Sequence, residues 1–75
     1  MNGMMAQIEA FRAGARVGWK AKGRKVTGEV LRVVTCKFAL SSAVFEASAR
    51  TPRLLVRRDD TGALVSLSPR GLHLA

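Results

Sequence analysis

Tyrosine is absent from this chain, and cysteine, histidine and proline are scarce. With one cysteine, Cys36, no disulfide can close within these 75 residues, which fits a reducing compartment. Cys36 and His73 together fall short of the three or four ligands that a zinc site takes. They are also the one conceivable nucleophile and base, and no third residue is placed to orient them as covalent catalysis requires. Carboxylates are few, and the adjacent pair Asp59-Asp60 sits in a turn-forming context rather than an acid–base one. The segment AKGRK (21–25) has one glycine and precedes a strand, so it is not a phosphate-cradling loop at a helix start. No apolar run approaches the roughly 20 residues of a membrane span. The segment MNGMMAQIEAF lacks the basic-then-apolar order of a signal peptide. The expectation is a cytoplasmic protein of prokaryotic type, not an enzyme, with no cofactor, no metal and no small-molecule substrate.

What the chain has in excess is positive charge. Thirteen Lys and Arg against five Asp and Glu leave a net +8. Such an excess makes polyanions the first partners to consider, through phosphate neutralisation and counterion release. Apolar residues make up 48% of the chain, enough for a folded core. A domain of this length buries only about 60% of its unfolded surface, so it must close its sheet tightly or borrow surface from a partner.

The organisation is one domain, residues 15–75, preceded by a helical extension over 1–14. Met4, Ile8 and Phe11 share a helical stripe, which predicts a short helix over 4–13 with Gly14 ending it. Val17 and Trp19 alternate in a first strand over 15–20, and 21–24 is a basic turn. A second, valine-rich strand spans 25–35, where the lone Gly28 predicts a bulge or corner. Residues 36–52 read either as a helical turn over 43–49 or as a strand through Val44 and Phe45. Residues 53–58 and 63–67 form a second hairpin around Asp59-Asp60-Thr61-Gly62, a type I turn with a left-handed exit. Residues 68–72 read as one 3₁₀ turn whose Leu72 plugs the end of the barrel. The fold class is mainly β, a small SH3-like or Tudor-like barrel of four to five strands with a short N-terminal helix. Its expected core is Val17, Trp19, Val26, Val30, Val56, Val65, Leu67 and Leu72.

In order along the chain stand RVGW (16–19), GEV (28–30), AS-x-x-x-P (47–52), V-x-x-DDTG (56–62) and P-x-x-L (69–72). This ordered set resembles the hypervirulence-associated Tudor-like domain family of small bacterial proteins, over about residues 12–74. The resemblance implies a Tudor or SH3-like barrel of four to five strands; small barrels of this kind are binding folds. Where the family pattern usually has an aromatic residue two positions past the proline, this chain has Leu54. The first hairpin by itself also resembles a KOW-type motif.

Two surfaces emerge as candidate sites. Lys20, Lys22, Arg24 and Lys25 crowd the first turn, and Arg57 adds a cation on the third strand, an anion-binding set for the phosphate backbone of nucleic acid without base readout. Arg57 and Arg58 point to opposite faces and cannot share one patch. Leu31, Leu55 and Leu64 alternate with residues expected in the core, so they predict an outward apolar face. That face suits a homodimer, joined by Met4, Met5 and Ile8, or docking on an acidic protein. A methyl-lysine cage needs several rings around the cation. Trp19, Phe38 and Phe45 are the only candidates, and Trp19 alternates as a core residue does.

Overall fold

A computed structural model describes residues 10–75. The alternating segments form the strands: β1 (Arg16–Ala21), β2 (Arg24–Val34), β3 (Phe38–Leu40), β4 (Ala43–Phe45), β5 (Arg53–Arg58), β6 (Leu64–Leu67) and β7 (His73–Leu74). Five of them make one antiparallel sheet in the order β6-β5-β2-β1-β7, and β3 and β4 make a separate two-stranded ribbon. The ribbon packs against β6. The elements among the described residues are strands in antiparallel sheets, so the fold is mainly β.

The strand β2 is the spine, paired to β1 along one edge and to β5 along the other. Its inward side chains Val26 and Val30 meet Val17 and Trp19 of β1 and Leu54 and Val56 of β5, and Phe11 closes the cluster. Val65, Leu67 and Leu72 pack against it from its margin, only partly buried. Leu54 is fully buried, one position before the expected outward Leu55. Alternation along β5 sends Leu54 and Val56 inward.

Several expectations change. The helix expected over 4–13 falls mostly on residues 4–9, which lie outside the described residues; Ala10 is helical, and the chain then turns toward β1. There Ala15 donates to the Arg12 carbonyl, and Gly14 donates to the carbonyl of Val30, beside the core position of Phe11. Residues 36–52 take the strand alternative, with Ser41 at φ 56° turning the β3–β4 ribbon. Residues 68–72 hold the single turn expected there, with Leu72 N–H donating to the Pro69 carbonyl three residues back.

Gly28 does not mark the irregularity in β2. The register shifts between Val30 and Arg32, which makes Leu31 the extra residue of a bulge. Gly28 is needed for close approach: a Cβ there would lie 2.5 Å from the Arg57 carbonyl oxygen and 2.9 Å from Val56 Cγ1. Gly18 is also crowded, but its nearest neighbour is the His73 ring at 2.8 Å, a side chain able to swing away.

Two substitutions separate these situations. Gly28→Ala pushes against backbone and should lose about 1–3 kcal/mol, the usual range for overpacking. Gly18→Ala should lose much less, because it displaces one side chain on the short strand β7. Urea unfolding followed by Trp19 fluorescence compares them, and equal losses would contradict the close-approach account. Trp19→Ala, at a position only 7% exposed, should cost about 3–5 kcal/mol.

Candidate anion-binding site

The first hairpin places its cations through its turn. Ala21 pairs with Arg24, leaving a two-residue loop of Lys22 at φ 53° and Gly23 at φ 79°. Two successive positive φ values are the signature of a type I′ turn, whose twist matches that of the flanking strands. Asparagine or aspartate is the usual first residue there, and lysine accepts the left-handed region only at some cost. The register then sets Lys20 directly opposite Lys25. Like charges directly opposite across a ladder destabilise it, so this pair works against folding.

The tip of this hairpin faces the turn between β5 and β6. Ala21, Lys22, Arg24, Lys25 and Val26 on one side, with Arg58 and Asp60 on the other, line an open cleft of about 560 Å³. The turn itself is held by its acids. Asp59 accepts from both terminal nitrogens of the Arg16 guanidinium and from Thr27 Oγ1 at 2.7 Å, while its own N–H donates to the Thr27 carbonyl at 3.0 Å. It therefore ties β1, β2 and the β5–β6 turn together. Asp60 accepts a fork from Arg58, Nε at 2.9 Å and a terminal nitrogen at 2.7 Å.

Both carboxyls are shifted accordingly. The Arg58 fork holds Asp60 down to about 2. Asp59 is lowered first by its bonds from Arg16 and then by that from Thr27. The other described acids are also in ion pairs: Glu29 with Arg57 at 2.8 Å, and Glu46 with Lys37 at 3.7 Å. Among the described residues, every carboxylate side chain is thus engaged by Arg16, Lys37, Arg57 or Arg58, and the Arg58–Asp60 pair itself forms one wall of the hairpin cleft. None is left for Lys20, Lys22, Arg24 or Lys25.

The sequence-predicted residues separate as follows. Lys22, Arg24 and Lys25 share the cleft, and Lys20 stands across the ladder from Lys25. Arg57 lies on the outer side of β5, opposite Glu29 and bonded to it, and does not line the cleft. Its neighbour Arg58 does, a contribution the sequence did not reveal because it depends on two distant turns meeting. Of the leucines, Leu31 occupies the bulge and Leu55 is partly buried, while Leu64 is 44% exposed on β6. Leu64 pairs with Arg57 and Leu55 with Ser66, so polar groups interrupt that face.

Trp19 belongs to the core, and Phe38 and Phe45 stack on each other with centroids 5.4 Å apart. Cys36 is exposed, and His73 sits opposite Gly18. Among the described residues, no group of three His, Cys, Asp or Glu side chains is arranged to hold a metal ion, and no helix is long and apolar enough to cross a membrane.

The sequence model of one family, the Hypervirulence associated proteins TUDOR domain, matches residues 14–72. No curated protein and no solved structure matches the chain.

Acid should weaken the turn. Both lowered carboxyls bind protons less readily folded than unfolded. Their stabilisation is complete above the ordinary carboxylate range near 4. It disappears as pH falls through the lowered values, about 2 for Asp60. Urea midpoints measured from pH 5 downward, for the native chain and for Asp59→Asn and Asp60→Asn, should show flatter profiles in both variants. Because these groups are solvent-exposed the effect is small, and superimposable profiles would refute the assignment.

Proposed function

The chain belongs to the hypervirulence-associated Tudor domain family, and we propose that it is a non-enzymatic binding module whose first hairpin contacts the phosphate backbone of nucleic acid. The observation that carries this reading is the allocation of charge. The described acids are spent on Arg16, Lys37, Arg57 and Arg58, while the hairpin tip keeps its cations without carboxylate partners. That tip also bears two costs to folding, the left-handed Lys22 and the Lys20–Lys25 pair. The left-handed Lys22 serves the type I′ turn, whereas the Lys20–Lys25 repulsion has no carboxylate beside it among the described residues, and a polyanion would relieve it on binding.

The contact is expected to be sequence-independent. Lysine ammonium groups act as point charges toward phosphate, and the two phenylalanines of the ribbon do not lie in the hairpin cleft. Recognition by charge then dominates, and it declines steeply with salt.

A second reading rests on Leu64, exposed on the edge strand β6 beside the partly buried Leu55. That surface supports docking on an acidic protein or a homodimer, and such an apolar contact persists in salt.

Binding to duplex and single-stranded DNA and RNA across a salt series decides between them. The triple variant Lys22→Glu/Arg24→Glu/Lys25→Glu should bind far more weakly and flatten the slope of log K against log salt by about 2–3. Equal binding by variant and native chain would remove the hairpin from the reading. Salt-insensitive self-association seen by light scattering, without nucleic-acid binding, would favour the leucine surface.

A further inference from the structure

At the other end of β5 from the hairpin cleft, Arg53 is held in a fixed pose by neutral groups alone. Its Nε donates to Ser66 Oγ at 2.6 Å and a terminal nitrogen donates to the Ser66 carbonyl at 3.0 Å. Its guanidinium carbon lies 5.1 Å from the centroid of the Phe45 ring, which Phe38 buttresses by stacking. No carboxylate of the described residues pairs with it. A guanidinium keeps its full charge under these conditions, and partly buried charges are ordinarily paired. Arg53 is therefore an immobilised, uncompensated cation.

It does not stand alone. Arg53 lines a cleft of about 320 Å³ together with Arg50, Arg70, Glu46, Pro52 and Pro69. Arg50 and Arg70 are exposed and come from segments on either side of β5, the first before it and the second after β6. The one acid on the wall, Glu46, is already engaged by Lys37. Three arginines thus line one concave site, two from the stretch 50–53 and one from the turn after β6. Two prolines supply rigid, apolar wall beside them.

We propose that this cleft is a second site, distinct from the hairpin, that binds a phosphate group. A planar carboxylate is satisfied by one guanidinium fork. The fork edge of Arg53 that carries Nε is occupied by Ser66, so only its remaining N–H groups face a ligand. A tetrahedral phosphate presents oxygens in several directions and can accept from Arg50, Arg53 and Arg70 together. The cleft exceeds the size of one ion and lies near the lower end of small-ligand pockets. It accommodates either a free nucleotide or one phosphate of a polymer, and both present the same group.

The two sources and the site itself are separable by following the Arg53 Nε–H signal of the full chain by NMR. Inorganic phosphate should move that signal saturably in the native chain and in Lys22→Glu/Arg24→Glu, which leaves this cleft intact. Arg50→Gln/Arg70→Gln changes two exposed side chains, and unchanged Trp19 fluorescence will verify its fold. It should weaken phosphate binding by about tenfold or more, the loss of roughly one charge-assisted bond. A mononucleotide moving the signal more tightly than a single-stranded oligonucleotide assigns the site to free nucleotide, and the reverse order assigns it to a strand. An unmoved Arg53 signal overturns the proposal, as does equal phosphate affinity in Arg50→Gln/Arg70→Gln. Displacement of phosphate by an acidic peptide free of phosphate overturns it as well, in favour of a protein partner. Because the hairpin variant leaves this readout unchanged, failure here and failure of the hairpin reading are independent results.

Discussion

The close passage of β2 over β5 at Gly28 is the constraint from which the remaining geometry follows. Only a residue without a Cβ lets the Arg57 carbonyl lie so near the β2 backbone. Once the strands meet there, Val30 falls opposite Val56 and Glu29 opposite Arg57. Core and outer ion pair are fixed in one step, one on each face. The same register carries the chain out of β5 at Thr27, where the Asp59 N–H meets the Thr27 carbonyl and its carboxylate gathers Arg16 and Thr27. The β5–β6 turn is therefore anchored to β1 and β2 rather than left as a free loop. Its anchoring brings Arg58 and Asp60 up to the first hairpin and gives the basic cleft its second wall.

A domain this small cannot bury charge, and it arranges its few acids economically. They sit where they brace the sheet: Asp59 across three elements, Asp60 on Arg58 and Glu29 on Arg57 of β5, Glu46 on Lys37 beside the ribbon. Exposed ion pairs contribute little energy each, so their effect is chiefly on where positive charge remains. Arg16, Lys37, Arg57 and Arg58 are paired, whereas the cations at the hairpin tip and around Arg53, like Arg32 on β2, have no carboxylate partner among the described residues.

Much of the scaffold was legible in the residues because alternation reports directly on which side of a strand is buried. Val17 and Trp19, Val26 and Val30, and the DDTG turn all placed their elements correctly. Leu54 is missing from the expected core, although its neighbour Leu55 reads as outward. Other failures occurred where local pattern is silent. Three-residue strands turned at Ser41 lack the glycine or asparagine that announces a hairpin, and a two-residue β7 has no pattern to read. Phe11 suited a helical stripe as well as it suits the core it joins. The four hairpin cations were visible as a cluster, but their lack of partners was not. Ion pairs such as Arg57–Glu29 and Arg16–Asp59 join residues 28 and 43 positions apart, and only the fold decides which cations they remove.

The same long-range assignment explains why the two cationic clefts differ in kind. The hairpin cleft is made by flexible lysines on a turn that resists its own charge, an arrangement suited to many phosphates met in passing. The Arg53 cleft is made by a guanidinium locked through Ser66 and Phe45, so less conformational freedom is lost when a ligand arrives. Six residues of β5 separate them, about 17 Å at the usual strand rise. Arg53 and Arg58 fall on opposite faces of that strand, because five steps along a pleat reverse the side. One straight ligand therefore cannot lie flat across both on a single face, and two independent contacts are the simpler consequence of the geometry. A cleft whose arginine is pinned and a hairpin tip that presents lysine point charges are complementary on a domain too small for a deep pocket.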